Sequence, residues 1–225
     1  KTNALAGDVG VPANWSLEDG LRAVEQGRTT VRCPLEIVPT AEDGVTVRGF
    51  IMGVGSFVDA TALAQRTHRV GAFNGIAVGL ALAWAIAQTL FGGRTSSWRS
   101  GSSMSIDYGP GASRMHGAMP EGRANRYMLF SSTLERLPIG LKPFGKPRPG
   151  LKTLVVDAPP RRLVAMLGPL LSGSQTAMLE RHGYHRVDAS SLAIDISSSF
   201  VLDGETFPAG SFEVREAPPL RFIIA

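Results

Sequence analysis

The residues best placed to do chemistry are the two carboxylates of Asp203-Gly204-Glu205. They lie between two short apolar runs typical of strands, and an Asp-Gly pair favours a tight hairpin turn. Two acids on one turn can divide a phosphoryl transfer between them. One accepts the proton of an alcohol, and the other orients metal-bound phosphates. The alternative stays open that the segment is a hairpin turn and nothing more.

Two further segments have residue types that suit ligand binding. Thr2 and Asn3 stand at a predicted helix start, where free backbone N–H groups and the helix dipole favour anions. An ordinary helix cap is the alternative there. Gly53 and Gly55 end a predicted strand and would let a ligand or another strand approach the backbone closely. Asp59 follows them, either as a substrate contact or as the N-cap of the next helix.

In this order, the segments resemble the second half of lipid kinases of the diacylglycerol and sphingosine kinase family. In that family a Gly-Gly-Asp-Gly-Thr phosphate loop is followed by a helix beginning Gly-(Thr/Lys)-x-Asn-x-x-Ala, and a later strand runs into an Asp-Gly-Glu turn. The chain matches the second and third features and lacks the first. We therefore expect a C-terminal portion whose nucleotide-binding half lies upstream, and we expect no kinase activity from this portion alone.

The resemblance implies a role for each matching residue on the nucleotide side. Asp203 would be the general base and Glu205 would face the nucleotide and its metal. Thr2 and Asn3 would lie beside the phosphates, and ATP with Mg²⁺ would be the cofactors of the full-length protein. Many relatives have Asp where this chain has Ala4, so any role of that acid is lost or transferred.

On the substrate side, the resemblance implies that Gly55 and Asp59 contact the acceptor lipid. Sphingosine kinases carry a further acid two positions after the Asp, where it meets the sphingoid amine. This chain has Thr61 there, which favours a neutral alcohol such as diacylglycerol. The apolar segment at about residues 71–91 would line a route for acyl chains.

One departure from the family bears on metals. Bacterial diacylglycerol kinases of this type have an acidic pair before a Gly in mid-domain, which contributes to a structural magnesium site. The corresponding stretch, residues 146–151, reads Lys-Pro-Arg-Pro-Gly-Leu and contains no carboxylate. We expect that site to be absent, with an Arg charge in place of the ion. His182 and His185 lack a third ligand nearby, so we predict surface histidines and no metal site of the protein's own.

Composition narrows the class of protein. The 26 Gly and 15 Pro residues disfavour a helical bundle and favour short strands joined by turns. The single Cys33 excludes an intramolecular disulfide framework and a multi-cysteine zinc site. A net charge of +4 suits a nucleotide phosphate or an anionic membrane surface, and equally an ordinary solvated surface.

The pattern of apolar and turn residues predicts the elements that would position these groups. Ser16 and Asp19 form a capping-box pattern ahead of a helix of about ten residues. Residues 29–38 and 45–53 predict a two-stranded hairpin, and loops with short edge strands fit residues 92–122. Helices are predicted at 60–67 and 159–171, and strands at 126–133, 151–157, 184–187, 192–196, 200–202, 211–215 and 220–224.

Residues 70–93 have no charged side chain and are long enough to cross a bilayer, but Asn74, Gln88 and Thr89 dilute their hydrophobicity. We therefore expect a helix within the fold and not a membrane span. The resemblance implies a mainly β (α+β) protein, an antiparallel β-sandwich of the NAD kinase and diacylglycerol kinase type with flanking helices. Residues 1–28 would be a helical remnant of the upstream domain, and residues 29–225 the lipid-substrate domain.

The expected partner is a lipid substrate at a membrane surface, in the cytoplasm or peripherally at the inner membrane face. No nucleic acid partner is expected, and a homodimer is left open. The alternatives are a non-catalytic lipid-binding relative, a sphingoid-base kinase and an NAD kinase-like enzyme. The last is disfavoured because the chain lacks the Asn-Glu pair with which NAD kinases hold their substrate.

Overall fold

Short apolar runs between turn residues form a mainly antiparallel β structure in this computed structural model, which describes residues 4–12, 14–69, 101–114 and 119–225. The described helices are α1 (Ala4–Val9), α2 (Leu17–Glu25), α3 (Ser56–Arg69), α4 (Leu163–Leu171) and α5 (Ala177–Arg181), with a 3₁₀ turn at Pro138–Gly140. The described strands are β1 (Thr29–Arg32), β2 (Leu35–Pro39), β3 (Val47–Gly49), β4 (Ile51–Gly55), β5 (Ser102–Tyr108), β6 (Ser113–Arg114), β7 (Gly122–Ser132), β8 (Leu151–Asp157), β9 (Tyr184–Ala189), β10 (Ser191–Ile196), β11 (Phe200–Leu202), β12 (Glu205–Phe207), β13 (Gly210–Glu216) and β14 (Leu220–Ile223).

The long strand β7 is the branch point of the sheet. Its first half pairs with β5, and from there the order runs β5-β10-β13-β2-β3. Its second half pairs with β4, and from there the order runs β4-β11-β12. The opposite edge of β7 pairs with β8, followed by β9 and β6. Apolar side chains of both branches pack into one buried cluster, so the curled sheet forms the two layers of a sandwich.

A second buried cluster covers the outer face of β7 to β9. Alternate residues of β8 divide between the two clusters: Val155 faces the sandwich, whereas Leu154 and Val156 face α4 and α5. From α4, Met166 and Leu170 contribute to this cluster. Because both faces of β8 are covered, its pattern is continuously apolar and not alternating.

Ion pairs join β2 to the two strands beside it, β3 and β13. Glu36 on β2 lies opposite Arg48 of β3 and Arg215 of β13 in the strand register. Arg48 donates to Glu36 Oε1 at 2.6 and 2.9 Å, and Arg215 Nε donates to Oε2 at 2.9 Å. Their hydrogen bonds, that of Arg48 foremost, hold the pKa of the Glu36 carboxyl below its ordinary value.

The structure confirms the mainly β class and the capping box of α2. Asp19 N donates to Ser16 Oγ and Ser16 N to Asp19 Oδ2, each at 3.1 Å. Strand 151–157 has the predicted bounds, as does strand 200–202. The segment at about 71–91 lies outside the described residues. In the part of the chain that is described, no helix is long and apolar enough to cross a bilayer.

Several predictions of the elements were wrong. The predicted hairpin forms between β2 and β3, but β1 pairs with β14 and β4 pairs with β7 and β11. Strand β5 lies inside the sheet, because Met104 and Ile106 point into the core from a serine-rich run. Helix α4 begins at Leu163 and not at residue 159, because Arg162 has a left-handed φ of 52°.

Candidate active site at the β11–β12 turn

The turn between β11 and β12 carries both predicted catalytic acids. Leu202 pairs with Glu205, and Asp203 and Gly204 between them have φ values of 49° and 91°. Two positive φ values define a turn whose twist matches that of a hairpin, and Asp-Gly is a preferred pair for it. The predicted turn is confirmed, and the catalytic roles of Asp203 and Glu205 stay predictions.

The Asp203 carboxylate binds the backbone where the chain crosses from β3 to β4. Its Oδ1 accepts from Phe50 N at 3.1 Å and Ile51 N at 2.9 Å, and its Oδ2 accepts from Phe50 N at 3.0 Å. Asp203 N donates in turn to Ile51 O at 2.9 Å. At this crossing the chain passes from one branch of the sheet to the other. We call this contact the Asp203 clamp.

Gly49 makes the clamp sterically possible. A Cβ at this position would lie 2.7 Å from Asp203 Oδ2 and 2.7 Å from Leu202 Cγ. Any larger residue would therefore force the Asp203 carboxylate or the Leu202 side chain to shift. This contact was not predicted from the sequence, because Gly49 lies inside the strand predicted at 45–53, where nothing marks it as a point of close approach.

The environment of the Asp203 carboxyl suits a proton acceptor. Partial burial raises its pKa above the ordinary value, the N–H donors of Phe50 and Ile51 lower it, and the charge of Glu205 raises it further. A carboxylate has about four lone-pair sites. The clamp leaves room for a further donor, such as a substrate hydroxyl. Glu205 is exposed at the start of β12, and its side chain has no hydrogen bond or ion pair with the described residues.

A hydrogen-bond chain links this turn to the end of β7. Ser132 Oγ donates to Phe50 O at 2.8 Å and accepts from Leu134 N at 3.1 Å. Two residues further on, Arg136 N donates to Asp8 Oδ1. The segment after β7 is thus fixed at one end to the crossing and at the other to α1.

Asp8 of α1 is a buried acid whose role the sequence analysis missed. It is 2% exposed, and its Oδ2 accepts from Arg32 Nε at 2.6 Å. A buried charge is tolerated when it is paired and hydrogen-bonded, as here. Asp8 anchors α1 to β1 and to the segment after β7. The predicted nucleotide contacts Thr2 and Asn3 lie outside the described residues.

The predicted substrate contacts lie at the junction of β4 and α3. A Cβ at Gly53 would lie 2.0 Å from the Phe57 ring, and one at Gly55, where φ is 71°, would lie 2.6 Å from Tyr127 O. The close approach predicted for these glycines is thus made by protein atoms. Helix α3 begins at Ser56, so the predicted N-cap role of Asp59 was wrong, and Asp59 lies in the first turn. Substrate contact by Gly55 and Asp59 stays a prediction.

Asp59 is half-buried, and its side chain has no hydrogen bond or ion pair with the described residues. Burial raises the pKa of its carboxyl above the ordinary value. Thr61, which replaces the acid of sphingosine kinases, donates its hydroxyl to Phe57 O at 2.8 Å. Neither side chain therefore offers a strongly held negative charge to a cationic acceptor.

Cations hold the backbone in the stretch where a structural magnesium site was expected to be missing. Arg148 forms an ion pair with Asp188. Lys152, 2% exposed, donates from Nζ to the carbonyl oxygens of Gly150, Arg148 and Thr133 at 2.7, 2.9 and 3.3 Å. Its ammonium sits in a cage of carbonyl oxygens, an environment that also suits a metal ion. An arginine, Arg148, is present in this stretch as predicted, and it pairs with Asp188. The carbonyl oxygens, however, surround Lys152 and not the arginine.

The two predicted surface histidines are each tied to a neighbouring element. His182 Nδ1 lies 2.8 Å from Met178 O, and His185 Nε2 lies 3.0 Å from Asp157 Oδ2. Burial raises the pKa of the Asp157 carboxyl, but its bonds to His185 and Arg126 outweigh this and hold it below the ordinary value. Among the described residues, no group of three or more His, Cys, Asp or Glu could hold a metal ion.

The fold is that of the diacylglycerol kinase-like proteins. Three solved structures from Bacillus anthracis str. Sterne superpose on 99% of this chain. Two are provisionally named diacylglycerol kinases, with 13% and 15% identity and TM-scores of 0.59. The other is named a diacylglycerol kinase, with 11% identity and a TM-score of 0.55.

At these identities the likeness shows the fold alone. The chain covers 65% and 66% of the two structures with TM-scores of 0.59, and 63% of the structure with a TM-score of 0.55. It therefore spans slightly less than two thirds of their length. No family model and no curated protein matches the sequence.

Proposed function

We propose that this chain is the C-terminal part of an ATP-dependent kinase that phosphorylates a lipid hydroxyl, with diacylglycerol as the acceptor. The observation that carries the proposal is the Asp203 clamp, which fixes a carboxylate of raised pKa on an exposed turn beside a second, unpaired acid. The shared fold with proteins named diacylglycerol kinases supports the choice of reaction.

In the proposed reaction, the acceptor hydroxyl donates its proton to a free lone pair of the Asp203 carboxylate. The hydroxyl oxygen then bonds to the γ-phosphorus, the bond from that phosphorus to the β–γ bridging oxygen breaks, and ADP leaves with the electron pair. Mg²⁺ carried by the nucleotide would offset the charge on its phosphates. The unpaired carboxylate of Glu205 is an oxygen ligand of the kind that Mg²⁺ accepts, and Thr2 and Asn3 are the proposed nucleotide contacts.

The choice of a neutral acceptor rests on the residues at the start of α3. Thr61 is uncharged and bonded within its helix, and the raised pKa of Asp59 disfavours its ionised form. A sphingoid amine would need a firmly ionised acid there. We propose that the lipid is met at the inner face of a membrane by peripheral association.

A non-catalytic lipid-binding role is the second candidate. Both oxygens of Asp203 already accept backbone N–H groups, which is a sufficient reason for an Asp at this position. On this alternative, Asp203 serves to hold the backbone at the crossing from β3 to β4, and it takes no part in proton transfer.

The deciding experiment is a labelled-ATP transfer assay on the protein with its natural upstream sequence. The acceptors are diacylglycerols, sphingoid bases and NAD. Asp203→Asn removes the proton acceptor and keeps a side chain that can accept from the backbone. Asp43→Asn is the matched control, because Asp43-Gly44 is a second exposed Asp-Gly pair with no side-chain hydrogen bond in the described residues.

We expect label in diacylglycerol, a loss of at least 100-fold in Asp203→Asn on the scale of general-base removal, and no change in the control. Label in lipid that survives Asp203→Asn would remove the acid from the chemistry. No label in any acceptor, with vesicle binding intact, would favour the non-catalytic candidate.

A further inference from the structure

A cavity of about 420 Å³ lies behind the end of β7, where residues 134–147 pass over α1. Gly7 of α1 forms one wall, and Leu137, Leu141 and Phe144 supply apolar surface. Leu134 also lines it and is bonded through Ser132 to the crossing that holds Asp203. The cavity and the candidate active site therefore share one end of the sheet.

Three cationic side chains on this cavity have no partner among the residues that the structure describes. Arg136, Lys142 and Lys146 line it and are exposed, and within the described part of the chain none of them has an ion pair or a side-chain hydrogen bond. The one acid among the lining residues, Glu135, lies 3.5 Å from Arg32 Nη1 and is partly neutralised by it. The cavity thus presents uncompensated positive charge beside an apolar wall.

The wall that carries these cations has little regular structure, yet it is held in place from inside. Two other cations donate into its backbone, Arg148 and Arg186, which is 7% exposed. Lys152 donates to residues on either side of the wall, Thr133, Arg148 and Gly150. Arg186 Nε donates to Pro143 O at 2.6 Å, and its terminal nitrogens donate to Ser174 O and Leu170 O. Arg148 Nη1 donates to Phe144 O and Lys146 O at 3.0 and 2.9 Å.

The six cations form two sets that differ in their capacity to bind a ligand. The inner set, Arg148, Lys152 and Arg186, is already bonded to carbonyl oxygens and, for Arg148, also to the Asp188 carboxylate. Binding of a ligand by these side chains would break contacts that hold the wall and its two ends. The outer set, Arg136, Lys142 and Lys146, is free to bind. A fixed wall limits the entropy lost on binding, because the backbone that carries the free cations is already ordered.

We propose that this cavity binds the phosphate headgroup of an acidic phospholipid. The three free cations would contact the phosphate, and Leu137, Leu141 and Phe144 would contact the glycerol and first methylene groups. Apolar lining argues for an amphiphile over a free phosphate, since a fully hydrated anion gains nothing from an apolar wall. The inference goes beyond the proposed function, because it requires no phosphoryl transfer.

The test is flotation of the protein with lipid vesicles of stated composition. One set is phosphatidylcholine alone, and the other contains phosphatidylcholine with about one third phosphatidate. The triple variant Arg136→Gln, Lys142→Gln, Lys146→Gln removes the outer set. A control triple variant, Arg28→Gln, Arg161→Gln, Arg221→Gln, removes the same charge from exposed arginines that do not line this cavity.

We expect binding to the acidic vesicles only, weakened about 100-fold in the cavity variant, since each basic residue near an acidic surface contributes about fivefold. The control variant should change by less than the contribution of one such residue, about fivefold, because its arginines lie outside the cavity. Equal losses of vesicle binding in both triple variants would show that only the net charge of the protein matters, and would overturn the proposed binding site.

A second measurement separates the sources of phosphate. Titration with glycerol 3-phosphate, followed by amide chemical shifts of residues 134–147, should give binding much weaker than that of the acidic vesicles. Equally tight binding of glycerol 3-phosphate would overturn the lipid assignment. Failure of the kinase proposal would leave both of these measurements unaffected, so the two proposals can be judged apart.

Discussion

Substitution of Asp203 by three residues separates the parts of the clamp. Glycine removes the carboxylate but tolerates the φ of 49°. Alanine removes the carboxylate and is also strained in that conformation. Asparagine tolerates left-handed φ and keeps one acceptor oxygen, but it loses the charge and has an NH2 group in place of the second oxygen, which accepts from Phe50 N. The glycine and alanine variants therefore separate hydrogen bonding from backbone strain, and the asparagine variant measures the combined loss of the charge and of one acceptor oxygen.

The magnitudes follow from the contacts. Asp203 satisfies two backbone N–H groups, Phe50 and Ile51, and a hydrogen bond to a charged group contributes about 1.5 kcal/mol at the exposed end of its range. Asp203→Gly should thus lower the free energy of unfolding by about 3 kcal/mol. Asp203→Ala adds left-handed strain, for a total of about 4 to 5 kcal/mol. Asp203→Asn should cost about 1 kcal/mol.

Guanidinium unfolding at pH 7, with a constant slope against denaturant, measures these values. Asp43→Gly is the control and should stay within about 0.5 kcal/mol of the parent, because the Asp43 side chain has no hydrogen bond with the residues that the structure describes. A parent-like Asp203→Gly would show that the clamp contributes nothing to stability. Equal free energies of unfolding for the glycine and alanine variants would show that left-handed backbone strain contributes nothing measurable at this position.

Three other substitutions or conditions test separate parts of the structure. Gly49→Ala should lower the melting temperature and shift the amide resonances of the turn, because its Cβ would lie 2.7 Å from Asp203 Oδ2; a parent-like melting curve would contradict that close approach. The lowered pKa of Glu36, due first to Arg48, means that its stabilisation is present above pH 4.5 and is lost as pH falls through the folded-state pKa. Glu36→Gln should therefore show a smaller loss of stability on acidification, measured by unfolding at several pH values. For Lys152, burial lowers the pKa from 10.5 to about 8, so the unfolded chain binds more protons between these values and stability should rise by about 2 kcal/mol from pH 8 to pH 10. A Lys152→Gln variant should lack this rise; a rise of the same size in that variant would assign it to another group.

Local patterns in the sequence predicted the elements whose signal is contained within a few residues. The strand from Leu151 to Asp157 was clear because both of its faces are covered, and the Asp203-Gly204 turn was clear from its chemistry. Strand β5 was obscured by its serines, since only Met104 and Ile106 mark its inner face. The local pattern indicated only two acids on one turn that could share a phosphoryl transfer, and the separate roles of Asp203 and Glu205 came from the family resemblance.

Contacts between distant residues could not be predicted in this way. Nothing in the residues around Gly49 indicates that the Asp203 carboxylate must fit against it, because the two are brought together only by the branching of the sheet at β7. The carbonyl cage of Lys152 is equally hidden, since a single lysine in an apolar strand has no characteristic pattern. Both features depend on tertiary structure and not on local propensity.

The pairing of β1 with β14 has a consequence for the order of folding. These strands join opposite ends of the chain, from Thr29 opposite Ile223 to Arg32 opposite Leu220, and they form a ribbon apart from the main sheet. Closing so long a loop costs entropy, and exposed Val31 and Leu220 recover little of it by burial. The ribbon should therefore close after the sandwich has formed. Its amide hydrogens should exchange with solvent through a local opening that leaves the Asp203 turn intact.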